Sequence, residues 1–357
     1  MNWLAWRQHR KQFMIASIFL ILFAAFMIPT GLNFWHTYQH ALSTCGSTHT
    51  CNQLNGELFQ SQIDQILIHL VPVAMVFVSI LLGIFWGVPL LAREYAEGTN
   101  KLVWTQSVSR RKWLTVKLIW VLAGAAIIAA GFAALDTWWA KSNNALTLGR
   151  FGPIQFESQG IVLIGYAVFA VSLGVFLGAW LKRTMAAIGI TLVLLIAIVM
   201  IVVPNFVRPY YYSPISQLTS VDNSNGAAPP NAPQSDGATL SISQTVVNKY
   251  NQPINWANPP QQCIVTNPGS TINTLIVGGH TRAAIPTKGG GNVAIEGRNG
   301  GPPVDMNCLA PLGYQQEIKY QPSYRYWDFQ RIELGLYLAL SVIPLAATYW
   351  LVLRRDA

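Results

Sequence analysis

Four cysteines, Cys45, Cys51, Cys263 and Cys308, and three histidines beside the first pair, His36, His40 and His49, are the residues of this 357-residue sequence best equipped for covalent or metal chemistry. His36 and His40 stand four apart, a spacing that places two ligands on one helix face. The set matches no zinc-binding pattern, so the histidines read as incidental and no metal is expected. The cysteines read as disulfides. Proximity in sequence favours Cys45–Cys51 and Cys263–Cys308, although four cysteines allow three pairings.

A second group is Glu94, Glu97, Gly98 and Thr99, set in a basic stretch that continues through Arg110 to Lys117. Carboxylates among so many cations suit ion pairing, either with Arg93 and Lys101 or with the basic side chains of a partner. Gly98 suits a turn whose backbone geometry a Cβ disfavours. A third group is two G-x-x-x-G patterns, Gly83/Gly87 and Gly174/Gly178. Small residues four apart let helix backbones approach closely, within a chain or between chains, and internal packing is the commoner use.

Other chemistry is missing. No G-x-x-x-x-G-K-[ST] phosphate loop occurs, and the glycines at 289–291 follow Lys288 in a polar region. ATP hydrolysis is therefore not expected of this chain. No carboxylate stands in the middle of an apolar run, which counts against a carrier driven by an ion gradient. Asp136 and Glu333 fall at the ends of such runs, where a solvated or interfacial role is expected. No Ser/His/Asp set or pair of catalytic carboxylates is recognisable, so the chain does not read as an enzyme.

The elements that must position these residues are membrane helices. The sequence is 52% hydrophobic and 10% charged, where a soluble domain carries about 25% charged residues. Six apolar runs, 13–35, 70–91, 118–135, 160–181, 184–207 and 334–353, contain no charged residue. Each is close to the ~20 residues that span a bilayer. Helices are expected, since these runs lack the alternation of barrel strands. The first run follows Arg7, Arg10 and Lys11 but is longer than a signal-peptide core and lacks a cleavage site, so it reads as a retained helix. Residues 1–12 look amphipathic, either a helix lying in the headgroup plane or a simple basic anchor.

The net charge of +9 is distributed by side. With the N-terminus inside, 13 basic residues fall on cytoplasmic pieces, while the first outer loop, 36–69, has no Lys or Arg. That asymmetry follows the positive-inside rule, places both termini in the cytoplasm, and argues against nucleic-acid binding. Trp35, Tyr38, Trp138, Trp139 and Tyr210 to Tyr212 fall at outer ends of the runs, and Trp86, Trp104, Trp113, Trp180 and Trp350 at inner ends, as interfacial belts do.

Lys182 and Arg183 alone join runs four and five, which predicts a tight hairpin. Residues 208–330 hold 14 of 20 prolines and 12 of 28 glycines. Short β-prone stretches there, 239–247, 271–277 and 292–295, lie between turn signals, and 222–236 reads as a linker. The expected organisation is an all-α polytopic membrane protein with six transmembrane helices and a loop-rich, partly β external domain between helices five and six. Residues 1–207 carry five helices and a cytoplasmic loop at 92–117, residues 208–330 form the extracytoplasmic domain, and 331–357 form the sixth helix and a cytoplasmic tail.

The 92–117 loop resembles the loop after the second span in permeases of the ABC-2 family. There an acidic-Gly-Thr element precedes a Leu, a Ser-Arg pair and a Lys that opens the third span. The matching positions are Glu94, Glu97, Gly98, Thr99, Leu102, Ser109, Arg110 and Lys117. Residues 320–327, Tyr-Gln-Pro-Ser-Tyr-Arg-Tyr-Trp, look like the lead into the last span of a Gram-positive-type branch. The resemblance implies a six-helix exporter subunit in the plasma membrane, paired with a second permease and with a separate ABC ATP-binding subunit that carries the ATP and Mg. No cofactor is implied on this chain. The loop, with Glu94, Glu97, Gly98, Thr99 and Arg110, would pass on the movement of the ATPase, and the substrate would be amphipathic (a drug, peptide antibiotic or lipid-like molecule). The competing reading is a membrane-anchored sensor or binding protein that uses residues 208–330.

Overall fold

The computed structural model describes residues 2–45, 62–98, 109–146, 150–152, 154–220, 240–264, 273–277, 280–286, 292–297, 304 and 306–355. Among them, six helices are long and apolar enough to cross a membrane: span 1 (His9–Thr37), span 2 (Ile66–Ala96), span 3 (Arg110–Lys141), span 4 (Val162–Leu181), span 5 (Thr184–Tyr210) and span 6 (Ser323–Arg354). The chain is thus a multi-pass membrane protein. Every span exceeds its apolar run except the fourth, because helical hydrogen bonding carries on into the polar flanks. Span 1 lies within one 44-residue helix, Asn2–Cys45. The basic N-terminal segment continues that helix without a break and does not form a separate in-plane element. Cys45 closes this helix, whereas Cys51 and the proposed Cys45–Cys51 bond lie outside the described residues.

Span 4 organises the bundle. Small residues lie on several of its faces: Gly165, Ala167, Ala170, Ser172, Gly174, Gly178 and Ala179 are all buried. Neighbours can therefore approach from several sides, and spans 2, 3, 5 and 6 all pack on it, while span 1 packs on span 3. Two spans change winding. Span 2 passes through a π-turn at Gly83–Gly87, and span 5 becomes π-wound over Ile196–Val207, where Pro204 lacks the N–H of a regular helix. Spans 4 and 5 are joined by a two-residue hairpin, with Lys182 left-handed and Arg183 extended.

The aromatic reading divides. Trp35, Trp138, Trp180, Trp350 and Tyr210 are exposed, as belt residues are. Trp86, Trp113 and Trp139 are buried. Trp139 meets Phe34 edge-on and donates its Nε1–H to Thr30 Oγ1 at 3.1 Å, and Trp86 meets Phe13 at 4.9 Å. The Trp86 and Trp139 rings pack helices together, as their flat faces and long reach allow.

The chain divides into two compact units. The helical unit includes residues up to Tyr212 and from Ser323 onward; the second begins at Ser213 and ends at Pro322. Arg208 and Gln330, at the limits of the expected 208–330 segment, are buried in the helical unit. Among the described residues of the second unit, two three-stranded antiparallel sheets form. One has the order β1 (Ile215–Ser220), β6 (Gln315–Gln321), β2 (Leu240–Val247); the other runs β3 (Asn273–Val277), β4 (His280–Pro286), β5 (Asn292–Gly297). A small core of Val246, Ile254, Cys263, Val304 and Leu309 contains the Cys263–Cys308 disulfide, whose Cα atoms are 5.4 Å apart. Closing a loop of 45 residues removes about 4 kcal/mol of chain entropy from the unfolded state. A core this small gains much of its stability from such a link.

Candidate functional site

Where span 2 ends, the two carboxylates part company. Gly98 adopts φ +67°, the left-handed geometry that ends a helix, and a Cβ built there meets nothing within 4 Å. The glycine is thus needed for conformation and not for space. Glu97 accepts a hydrogen bond from Arg93 Nε at 2.7 Å, and both side chains are exposed. Glu94 turns the other way and pairs with Lys117, whose side chain is 7% exposed and lies 4.5 Å from the Trp113 ring. Glu94 thereby fastens the end of span 2 to the start of span 3. Of the local partners that sequence proximity offers, Arg93 pairs with Glu97 and Lys101 lies outside the described residues, while Glu94 takes Lys117, about two turns into span 3. Ser109 caps span 3: its Oγ accepts the Lys112 N–H at 3.4 Å and its carbonyl the Trp113 N–H at 3.1 Å. Arg110, Arg111 and Lys112 fill the first turn, where the helix dipole disfavours cations. Thr99 and Leu102 lie outside the described residues.

The two G-x-x-x-G patterns face each other. A Cβ on Gly83 would lie 2.8 Å from Ala170 Cβ and O, and one on Gly87 would lie 2.6 Å from Val171 O. One on Gly178 would lie 2.5 Å from Val88 O, and one on Gly174 would meet Gly83 O. Spans 2 and 4 run parallel here, and Ser79 Oγ donates to Leu163 O at 3.4 Å one turn beyond. Both patterns are used inside one chain.

At the other end of span 4 lies a buried polar cluster that the sequence did not reveal. Span 4 is preceded by a single helical turn, Gln155–Ser158, whose residues are all buried. Gly160 then takes φ +71°, where a side chain would collide with Gln330. Gln330 holds this segment on three sides: its Oε1 accepts the Val162 N–H at 2.9 Å, and its Nε2 donates to Phe156 O at 3.0 Å and to the Tyr326 hydroxyl at 3.2 Å. Thr137 Oγ1 accepts the Gly160 N–H at 2.9 Å.

Arg208, at the end of span 5, is the centre of the charges. It donates to Glu333 from Nε at 3.0 Å and Nη2 at 2.8 Å, a bidentate pair, and from Nη2 to Glu157 Oε1 at 2.9 Å. Tyr166 donates to Glu333 at 2.7 Å, and the guanidinium lies 4.0 Å from the Phe156 ring. Glu333 and Asp136 are both 0% exposed. The expectation of solvated carboxylates at span ends is therefore corrected: the 154–161 segment folds over these ends, and Arg208 supplies the counter-charge. Neither Asp136 oxygen accepts a hydrogen bond of ordinary geometry among the described residues; the Ser158 hydroxyl alongside donates to Gln155 O. Burial pushes the Glu157 carboxyl up to about 7, with Arg208 opposing the rise and Glu333 adding to it. The signal available in the sequence was that Asp136, Glu157, Arg208 and Glu333 all flank spans on one side.

Six membrane helices, a polar turn closed by Gly98 at one end, and a buried ion cluster at the other define a polytopic membrane protein. A family model described as ABC-2 membrane transporter related matches residues 17–208, from span 1 to the central arginine of the cluster. That is more than half of the chain, and the chain belongs to this family of transporter permeases. Neither a search of curated proteins nor one of solved structures finds a match.

Proposed function

We propose that the chain is the permease subunit of an ATP-driven exporter, forming the path for an amphipathic substrate and worked by a separate ATP-binding subunit. Family membership over residues 17–208 carries this reading. ATP and Mg belong to the partner subunit, and a second permease, identical or not, completes the pathway. The exposed Arg93–Glu97 pair, the Gly98 turn and the cationic first turn of span 3 form the docking element. Cations at a helix N-terminus weaken the helix, so their placement there suits retention on the cytoplasmic side or contact with an acidic partner.

The test is a mild-detergent pull-down of the full chain followed by reconstitution with the ATPase it recovers. The exposed Arg93–Glu97 pair contributes about 0–1 kcal/mol to the fold, so Glu97→Ala is expected to leave the protein in the membrane. Substrate-stimulated ATP hydrolysis is expected to fall about fivefold or more. Normal stimulation in Glu97→Ala would remove this element from the docking surface. Failure to recover any ATPase would favour an anchored binding protein instead. Glu94→Ala is a poorer probe, because it strands Lys117.

The orientation has its own check. The proposed topology puts both termini in the cytoplasm. Single cysteines introduced near Lys101 and Arg354 are expected to resist a membrane-impermeant thiol reagent in intact cells, and ones near Ser142 and Gly290 to react. Labelling at Lys101 in intact cells would invert the topology.

A further inference from the structure

We propose that Glu157 is a proton-binding site whose occupancy sets how firmly the 154–161 segment is held to spans 5 and 6. Three observations carry this. First, Glu157 is 3% exposed, and its Oε2 has no hydrogen-bond partner among the described residues, whereas its Oε1 accepts from Arg208. Second, that donor is shared. The Arg208 Nη2 that reaches Glu157 also reaches Glu333, which already holds Arg208 Nε, so Glu157 receives the weaker claim on a single guanidinium. Third, the charges do not balance. Glu157 and Glu333 face one buried arginine, and buried Asp136 stands beside Ser158, the next residue along.

The surroundings of Glu157 are these. Span 3 supplies Asp136, span 4 supplies Tyr166, and span 5 supplies Arg208, followed by Tyr211. Span 6 supplies Tyr326, Glu333 and Tyr337. Arg150 lies over the Tyr326 ring at 5.7 Å. From span 2, which packs on the same segment, the described ionisable side chain near that end is His69, and it is exposed. The ligand that completes this arrangement is small and positive. Among the described residues no group of three His, Cys, Asp or Glu is disposed to hold a metal ion. A proton on Oε2 needs no cavity and removes one of the two carboxylate charges that share Arg208. The neutral acid still accepts the Arg208 hydrogen bond through its other oxygen. Loss of the proton places two carboxylates against one guanidinium, and their repulsion bears on the segment that opens span 4. Burial of Glu157, which holds its carboxyl near 7, agrees with exchange of that proton around neutral pH.

The sign follows from linkage. The folded form binds the proton more tightly than the unfolded chain, where the carboxyl has its ordinary value near 4.5. Stability from this site therefore falls as pH rises from about 4.5 to about 7 and is flat above. The experiment uses the full chain in lipid nanodiscs, independently of any transport assay. Infrared spectra of the wild type are expected to show a protonated-carboxyl band that disappears with a midpoint near pH 7. The Glu157 component of the band should be retained in Asp136→Asn, which removes the other buried and unpartnered carboxyl, and lost in Asp136→Asn/Glu157→Gln. The thermal midpoint should fall as pH rises toward neutrality, and in the Asp136→Asn background Glu157→Gln should flatten that slope. No titrating band in Asp136→Asn within about one unit of neutrality, or a band that survives in Asp136→Asn/Glu157→Gln, overturns the proposal. A band that disappears on adding sodium chloride at fixed low pH, but not potassium chloride, overturns it in favour of a sodium site. Should Glu157→Gln fail to fold, Glu157→Asp withdraws the acid by one methylene and is expected to move the midpoint; an unmoved midpoint overturns the proposal equally.

Discussion

Arg208→Leu is expected to lower the stability of the helical unit by about 3–5 kcal/mol, the range for removing one partner of a buried ion pair. The guanidinium is 4% exposed and makes three hydrogen bonds to Glu333 and Glu157. Leucine fills most of the volume but leaves Glu333, 0% exposed, with only tyrosine hydroxyls for its charge. Arg208→Lys keeps the charge and loses the two-pronged fit to Glu333, so a smaller loss of about 1.5–3 kcal/mol is expected. The decisive comparison is the triple change Arg208→Leu/Glu157→Gln/Glu333→Gln, which removes all three charges and should recover most of the loss. Thermal midpoints of the detergent-solubilised protein, read by size-exclusion fluorescence, measure all three. An Arg208→Leu midpoint equal to wild type would show that the cluster is solvated and not buried.

The difference between what could and could not be read from the sequence is physical. The spans were legible because a bilayer imposes length and composition on each helix separately. The hairpin at Lys182 was legible for the same reason, since two apolar runs separated by two residues leave no other connection. Strands β2, β3 and β5 fell on stretches rich in β-branched residues. The central strand β6 reads Gln-Gln-Glu-Ile-Lys-Tyr-Gln, and β4 ends at Pro286, so neither advertises itself. Local preference gives way there to pairing with neighbours far along the chain. Arg208 and Gln330, which bound the expected 208–330 segment, are polar residues used inside the bundle.

The ion cluster was illegible for a related reason. Its four charged members come from the ends of spans 3, 5 and 6 and from the turn before span 4, and a charged residue at a span end ordinarily meets water. Only the fold shows that the 154–161 segment covers that end. At the opposite end the carboxylates at 94 and 97 looked equivalent, yet helical phase sends Glu97 to solvent beside Arg93 and turns Glu94 towards Lys117. Glu97 takes the partner that i,i+4 helical spacing offers, Arg93, whereas Glu94 takes Lys117, 23 residues further along the chain.

The glycine contact between spans 2 and 4 joins these two ends, which are separated by about 29 Å along span 4 at 1.5 Å per residue. Gly178→Val is expected to destabilise the protein by about 3 kcal/mol or more, because the added atoms meet the Val88 carbonyl and not a side chain that could move aside. Gly178→Ala meets the same carbonyl with one methyl and should cost about 1–3 kcal/mol. Gly189 and Gly335 are the controls: a Cβ at either has nothing within 4 Å. Gly189→Ala and Gly335→Ala should be neutral or stabilising by up to about 1 kcal/mol, the helix-propensity difference. Thermal midpoints rank these variants, and the elution volume of each reports whether its assembly has changed. A motif used between chains would show altered assembly with an unchanged unfolding midpoint. A motif used within the chain, as the contacts of Gly83, Gly87 and Gly178 with backbone atoms of the same chain require, shows the reverse. The distinction bears on transport. If spans 2 and 4 are locked along this line, displacement of the Arg93–Glu97 turn carries span 4 with it and so reaches the segment that opens span 4, where Glu157 meets Arg208. A change in assembly alone for Gly178→Val, with the midpoint held, would break that mechanical link and leave the two ends free to move independently.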